Sequence, residues 1–158
     1  MMTDTAKSNK AEAVLYCDGG ARGNPGPAAA AFVLREGSGE NPGAVLASDG
    51  VFLGIATNNE AEYRAVALGL KSALKQGIRR LEIRVDSELI ARQLTGQYRV
   101  RNPRLKVLFD ETSNLLQELS WWKVVHVRRD ANQEADALVN AAIDSAIVRK
   151  NIDREYEF

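Results

Sequence analysis

Residues Ala13-Val14-Leu15-Tyr16-Cys17 form an apolar run without polar alternation, and that run leads directly into an acid, Asp18, followed by Gly19-Gly20. A short run of this kind reads as a central β-strand buried on both faces, so the sheet it belongs to must be packed on both sides. An ionised carboxylate at the edge of such a core is costly. Asp18 is therefore expected to be either salt-bridged or a ligand of a cation.

Three further acids sit at comparable places. In Thr57-Asn58-Asn59-Glu60-Ala61-Glu62 the pair Thr57 and Glu60 has the spacing of a capping box, and Gly77 supplies a stop, which predicts a helix between them. Glu62 shares a helical stripe with Ala65, Val66, Gly69 and Ala73 and so points inward, while Glu60 is free to stay in solvent. Asp86 ends the alternating run Leu81-Glu82-Ile83-Arg84-Val85, a strand with one well-buried face. Ser87 then opens a helix carrying Leu89, Ile90 and Leu94, so Asp86 or Ser87 also suits an N-cap. In the segment Arg128 to Leu138, Asp130 and Gln133 fit a second capping box. Asn132 and Asp136 are four apart on one helical face, with Leu138 and Val139 continuing the buried stripe.

The coarse order is three strands, a helix, a strand, a helix, a second helical stretch, a strand and a final helix. Two turn-rich connections, residues 19–27 and 36–43, separate the first three strands as in an antiparallel meander. The strand ending at Asp86 follows a helix and is expected parallel to the first. The 158 residues suit one domain. Residues 1–12 are expected to form a disordered tail, 13–147 the folded domain and 148–158 a C-terminal tail.

Composition narrows the setting. No run approaches the roughly 18 apolar residues of a membrane span. The single Cys17 cannot form an internal disulfide, and the polar start lacks the apolar core of a secretory signal. A cytoplasmic monomer with no membrane contact and no obligate protein partner is the expectation. The 21 basic and 21 acidic residues balance, which is unusual for a binder of phosphate backbones. Local stretches at Arg99, Arg101, Arg104 and Lys106, and at Arg128 and Arg129, read either as contact patches or as solvated surface.

Four motifs then occur together: Tyr16-Cys17-Asp18-Gly19-Gly20-Ala21-Arg22-Gly23-Asn24-Pro25-Gly26-Pro27, Thr57-Asn58-Asn59 with Glu62, Val85-Asp86-Ser87, and Asn132 with Ala135-Asp136. In this order and spacing they closely resemble the type 1 ribonuclease H family over roughly residues 13 to 145. The resemblance implies an α/β, ribonuclease H-like fold: a mixed five-stranded sheet, three antiparallel strands then two parallel ones, flanked by helices.

It also implies an endoribonuclease that hydrolyses the RNA strand of an RNA/DNA hybrid, giving 5′-phosphate and 3′-hydroxyl ends. Four carboxylates with no His or Cys cluster suit two Mg²⁺ ions, with Mn²⁺ able to substitute, roughly 3.5–4 Å apart. By the resemblance, Asp18 would bridge both ions, Asp136 would hold the ion carrying the nucleophilic water, and Glu62 and Asp86 the leaving-group ion. Asn24, Asn58 and Asn59 match the family's minor-groove contacts and Thr57 its DNA-phosphate contact. Each also has a local reading, Asn24 as a turn residue and Thr57 as a helix cap. Tyr98 is a candidate to pack on DNA sugars, or is a core residue.

The chain departs from the family pattern in two places. His126, the only histidine, stands ten residues before Asp136 like the family's mobile histidine. It is followed by Val127-Arg128-Arg129-Asp130 rather than a glycine-rich loop, so a strand-end structural role competes with a catalytic one. Arg128 or Arg129 is a candidate to handle phosphate instead. The segment Gly96 to Arg104 is short where several bacterial members carry a basic protrusion, which implies weaker, more salt-sensitive or differently placed substrate binding. Nucleases and strand-transfer enzymes acting on DNA, and a non-catalytic hybrid-binding module, are the competing classes.

Overall fold

The structure, a computed structural model, describes residues 10–155. Five strands, β1 (Ala13–Ala21), β2 (Gly26–Gly37), β3 (Pro42–Ala56), β4 (Arg80–Val85) and β5 (Trp121–His126), form one sheet in the order β3-β2-β1-β4-β5. The first three are antiparallel neighbours, while β4 pairs parallel with both β1 and β5. Among the described residues four α-helices flank them: α1 (Asn58–Lys75), α2 (Glu88–Leu94), α3 (Pro103–Gln117) and α4 (Gln133–Glu155). This is the mixed sheet expected from the sequence.

The apolar run at the start of β1 is the centre of the sheet, with Ala13, Val14 and Leu15 fully buried and Cys17 nearly so. The larger core lies on one face, where Leu15, Leu34 and Ile83 meet Tyr63, Val66 and Leu70 of α1 and residues of α2 and α3. On the other face Ala29 and Ala31 pack against Val139 and Ile143 of α4. The alanines of β2 keep the sheet thin enough for a helix on either side. The local signals for α1 act as read: Thr57 and Glu60 form both bonds of the capping box, and Gly77 takes a positive φ of 80° just beyond the last turn.

Several boundaries differ from the sequence reading. β1 continues through Asp18 to Ala21, with Asp18 opposite Ala31, so the acid stands inside the strand. A hairpin partner can extend a strand through glycines that local propensity would assign to a turn. Glu82 is buried rather than on an open face, because Arg84 and Lys123 both reach its carboxylate. Glu60 is not free in solvent; it closes the capping box and pairs with Arg104. Residues 148–155, read as tail, continue α4. Of the expected N-terminal tail, Glu12 accepts backbone hydrogen bonds from Arg79 and Arg80, while residues 1–9 lie outside the described part, as do 156–158.

Helix α1 approaches β1 closely enough that a Cβ at Gly69 would stand 2.6 Å from Leu15 Cδ1. Ala is the better helix former by about 1 kcal/mol, but overpacking a closed core costs about 1–3 kcal/mol, so the steric effect should win. Gly69→Ala is therefore expected to lower the urea midpoint. An unchanged or raised midpoint would show that α1 can shift off the sheet freely.

Candidate active site

Three of the four acids converge where β1, just past its last pairing with β4, and the carboxyl end of β4 meet the start of α1. Asp18 projects from β1, Glu62 from the second turn of α1 and Asp86 from the first residue after β4, before Ser87 caps α2 by accepting from the Ile90 amide. Each offers a carboxylate oxygen, and these oxygens all lie within 4.8 Å of one another. The approach depends on Gly19. Its amide donates to Glu62 Oε1 at 2.9 Å, and a Cβ there would sit 2.3 Å from the Ala61 carbonyl carbon. Asp136, in the first turn of α4, is half-buried on the wall of the same cavity of about 410 Å³.

Asp18 and Glu62 are 6% and 7% exposed, yet among the described residues no Lys or Arg makes an ion pair with any of the four acids. The salt-bridge reading of Asp18 therefore fails. Burial, then the charge of Asp86, raises the Asp18 carboxyl to about 7, with Asp136 adding to the rise. Burial and the charges of Asp18 and Asp86 hold Glu62 well above the ordinary carboxylate range, against the opposing Gly19 amide. Asp86 is raised by burial, with Arg129 and Asn132 opposing. Like charges gathered out of water without a cation are unstable as ions. The donor set is all carboxylate oxygen, so a hard divalent cation fits it. Cys17 is buried, its thiol pushed up by burial, and offers no soft ligand.

Asn132 ties this centre together. It is 1% exposed and its Nδ2 donates to the Cys17 carbonyl at 2.7 Å, next to Asp18, while its Oδ1 has no partner among the described residues. The segment before it is not the expected capping box of Asp130 and Gln133. Arg129–Asn132 is instead a 3-10 turn with Ala131 N bonded to the Arg128 carbonyl, and Arg128 at its start makes no capping bond. Drawing Asn132 down onto β1 tightens the entry to α4.

The remaining candidates divide. Asn58 and Asn59 line the cavity. Asn58 Oδ1 accepts from the Ala21 amide at 2.8 Å, and the Asn58 amide donates to Asn24 Oδ1 at 3.0 Å, so Asn24 supports the site from behind. Thr57 acts as the helix cap. Five candidates are not on the cavity wall: Asn24, Thr57, Tyr98, His126 and Arg128. Tyr98 is 47% exposed with the Arg92 guanidinium 5.3 Å from its ring centroid, so the core reading fails. His126 is exposed at the end of β5, with Nε2 3.3 Å from the Asp86 carbonyl oxygen, and faces a separate small cleft with Arg92 and Gln97. Arg128 is exposed, whereas its neighbour Arg129 lines the cavity. Arg22 and Asn140 also line it, and nothing in their local sequence patterns marked them.

The raised carboxyls fix a sign. Their folded pKa values exceed the unfolded ones, so the folded state holds protons that the unfolded state has lost between about pH 4 and 7. In EDTA, stability should fall as pH rises through that window. Asp18→Asn should stabilise the metal-free protein at pH 7.5 by about 2 kcal/mol. A lower melting temperature for the variant in EDTA would show that the cluster is not a source of repulsion.

A family model described as reverse transcriptase-like matches residues 16–142. The sequence is 42% identical over 131 residues to a ribonuclease HI of Halobacterium salinarum, covering 83% of this chain and 64% of that protein. It is 31% identical over 150 residues to a ribonuclease H of Hydrogenovibrio crunogenus, covering 84% and 96%. The chain thus spans just under two thirds of the Halobacterium protein, and only 36% of a Mycobacterium bovis relative. Among solved structures it is similar to ribonuclease H1 of Halobacterium salinarum, with TM-score 0.79, 41% identity and coverage of 84% and 98%. It is likewise similar to LC11-RNase H1 in complex with an RNA/DNA hybrid, with TM-score 0.78, 38% identity and coverage of 85% and 99%. A shared fold at this identity, reached by a chain whose acids meet between β1, the end of β4 and the start of α1, leaves one assignment: the chain belongs to the type 1 ribonuclease H family.

Proposed function

We propose that this chain is an endoribonuclease that hydrolyses the RNA strand of RNA/DNA hybrids with two divalent cations, leaving 5′-phosphate and 3′-hydroxyl ends. The observation that carries this reading is the meeting of Asp18, Glu62 and Asp86 within 4.8 Å, unpaired by any described cation, beside Asp136. The likeness to a hybrid-bound relative supports the substrate class.

Asp18, Glu62, Asp86 and Asp136 would hold the ions, Mg²⁺ or Mn²⁺. When bound, such ions activate water and stabilise the leaving oxygen of an in-line displacement. The chain's own residues position the phosphodiester. Asn58 and Asn59 stand on the cavity wall, placed to meet the minor groove with Asn24 bracing Asn58, and only groups reaching a 2′-hydroxyl can distinguish RNA from DNA locally. Thr57, at the start of α1, takes a DNA phosphate while remaining the cap. Tyr98 and Arg128, both exposed away from the cavity, suit contacts along the more distant duplex.

Arg129 is the better placed cation for the reacting or product phosphate. Its charge reaches Asp86, it lines the cavity and it has no ion-pair partner among the described residues. A guanidinium suits a phosphate oxygen pair. His126 is held toward the Asp86 carbonyl instead.

The direct test sets end-labelled RNA/DNA hybrid, duplex RNA, duplex DNA and single-stranded RNA side by side with Mg²⁺, Mn²⁺ or EDTA. Metal-dependent cutting of the hybrid's RNA strand alone is expected, with Asp18→Asn folded but at background activity. Hybrid binding without turnover would shift the assignment to a binding module, and cutting of ribonucleotide-free DNA to a DNA nuclease. Arg129→Ala should lower turnover by about tenfold or more, while His126→Ala stays within about threefold. The reverse order of losses would return the phosphate role to His126.

A further inference from the structure

Arg22 lies in the connection between β1 and β2 and lines the acid cavity, yet its guanidinium pairs with none of the four acids that meet there. Its backbone is fixed by the Arg22 amide donating to the Pro27 carbonyl at 2.8 Å. The side chain reaches across to α4, where one arm donates to Asp144 Oδ1 at 2.7 Å and the other to Asn140 Oδ1 at 3.3 Å. With its oxygen taken by Arg22, Asn140 has its amide nitrogen directed back along the helix. That nitrogen donates to the Asp136 carbonyl at 3.2 Å and lies 3.5 Å from Asp136 Oδ2. Asp136, Asn140 and Asp144 are spaced by four, so one face of α4 carries the whole set.

We infer that Arg22 is a positioning residue for Asp136, acting through Asn140: the forked guanidinium fixes the orientation of the Asn140 amide, and that amide aims the Asp136 carboxylate toward Asp18. The inference rests on the proposed role of Asp136 as a metal ligand. The Arg22–Asp144 pair is a poor stability device, since both side chains are solvent-exposed at 41% and 64% and such pairs contribute little. Its geometric consequence is larger than its energetic one. Groups that orient a metal-binding side chain commonly change metal affinity or turnover by about tenfold or more when removed. Lysine at position 22 could keep the charge and reach Asp144, but an ammonium lacks the planar fork that spans Asp144 and Asn140 together.

The test compares wild type, Arg22→Gln, Arg22→Lys, Asn140→Ala and the double variant Arg22→Gln/Asn140→Ala. Mn²⁺ binding to the free protein is followed by calorimetry, alongside kcat and KM on hybrid and the melting temperature in EDTA. Expected are an apparent Mn²⁺ affinity and a kcat each lowered about tenfold in Arg22→Gln and Asn140→Ala, with KM and melting temperature close to wild type. Arg22→Lys should not restore them, and the double variant should be no worse than either single one, because both remove the same contact. Unchanged Mn²⁺ isotherms, additive losses, or a raised KM at constant kcat would overturn the inference, the last by making Arg22 a direct phosphate contact. Should Arg22→Gln fail to fold, Asn140→Ala interrogates the same contact from α4. A wild-type protein that neither binds Mn²⁺ nor cuts hybrid would instead overturn the proposed function itself, which separates the two failures.

Discussion

The contact between Gly19 of β1 and the Ala61–Glu62 peptide of α1 is the constraint on which the rest of the site depends. Glycine lets strand and helix meet at a distance that a Cβ would forbid, and the freed amide then donates to Glu62. That one approach sets how far Glu62 can be from Asp18, and hence whether both can share a cation. The rest of β1 and α1 serves the same geometry: Leu15 lies under Gly69, and Thr57 with Glu60 fixes where the helix begins. Hydrophobic burial on both sheet faces supplies the stability that the gathered acids oppose.

The site is assembled from opposing electrostatic demands. Three carboxylates are pushed toward protonation by burial and by one another, while Gly19, Asn132 and Arg129 each offer a partial counterweight to one of them. These donors are too few to neutralise the cluster, and its all-oxygen donor set is one that a hard cation would fit. A buried acid with full ion pairs is found elsewhere on the sheet, at Glu82 with Arg84 and Lys123.

Position in α4 or in the turn that leads into it separates residues that look alike in sequence. Arg128 and Arg129 are adjacent, but the 3-10 turn before α4 sends only the second to the cavity. Asn132 and Asn140 are both asparagines near Asp136. The first is buried and pins the helix start to β1, while the second is exposed and links Arg22 to Asp136. Together they hold α4 at two points, so that its first two turns face the acids of the sheet.

The sequence by itself determined the elements and most of the acid set. The apolar run into Asp18, the capping box before Glu62 and the alternation ending at Asp86 are local patterns, and local patterns fix strand or helix and the face a residue takes. The resemblance then supplied a single mixed sheet of three antiparallel and two parallel strands, and the structure its order. Only the tertiary structure decided the burial of Glu82, the extension of β1 through Asp18 to Ala21, the turn that displaced the second capping box, and the choice of Arg129 over Arg128 and His126 for the cavity. The first three depend on a partner distant in the chain: Lys123 for Glu82, Ala31 for Asp18 and Cys17 for Asn132. A contact across that many residues leaves no periodic trace in the segment on which it acts, so only the folded chain reveals it.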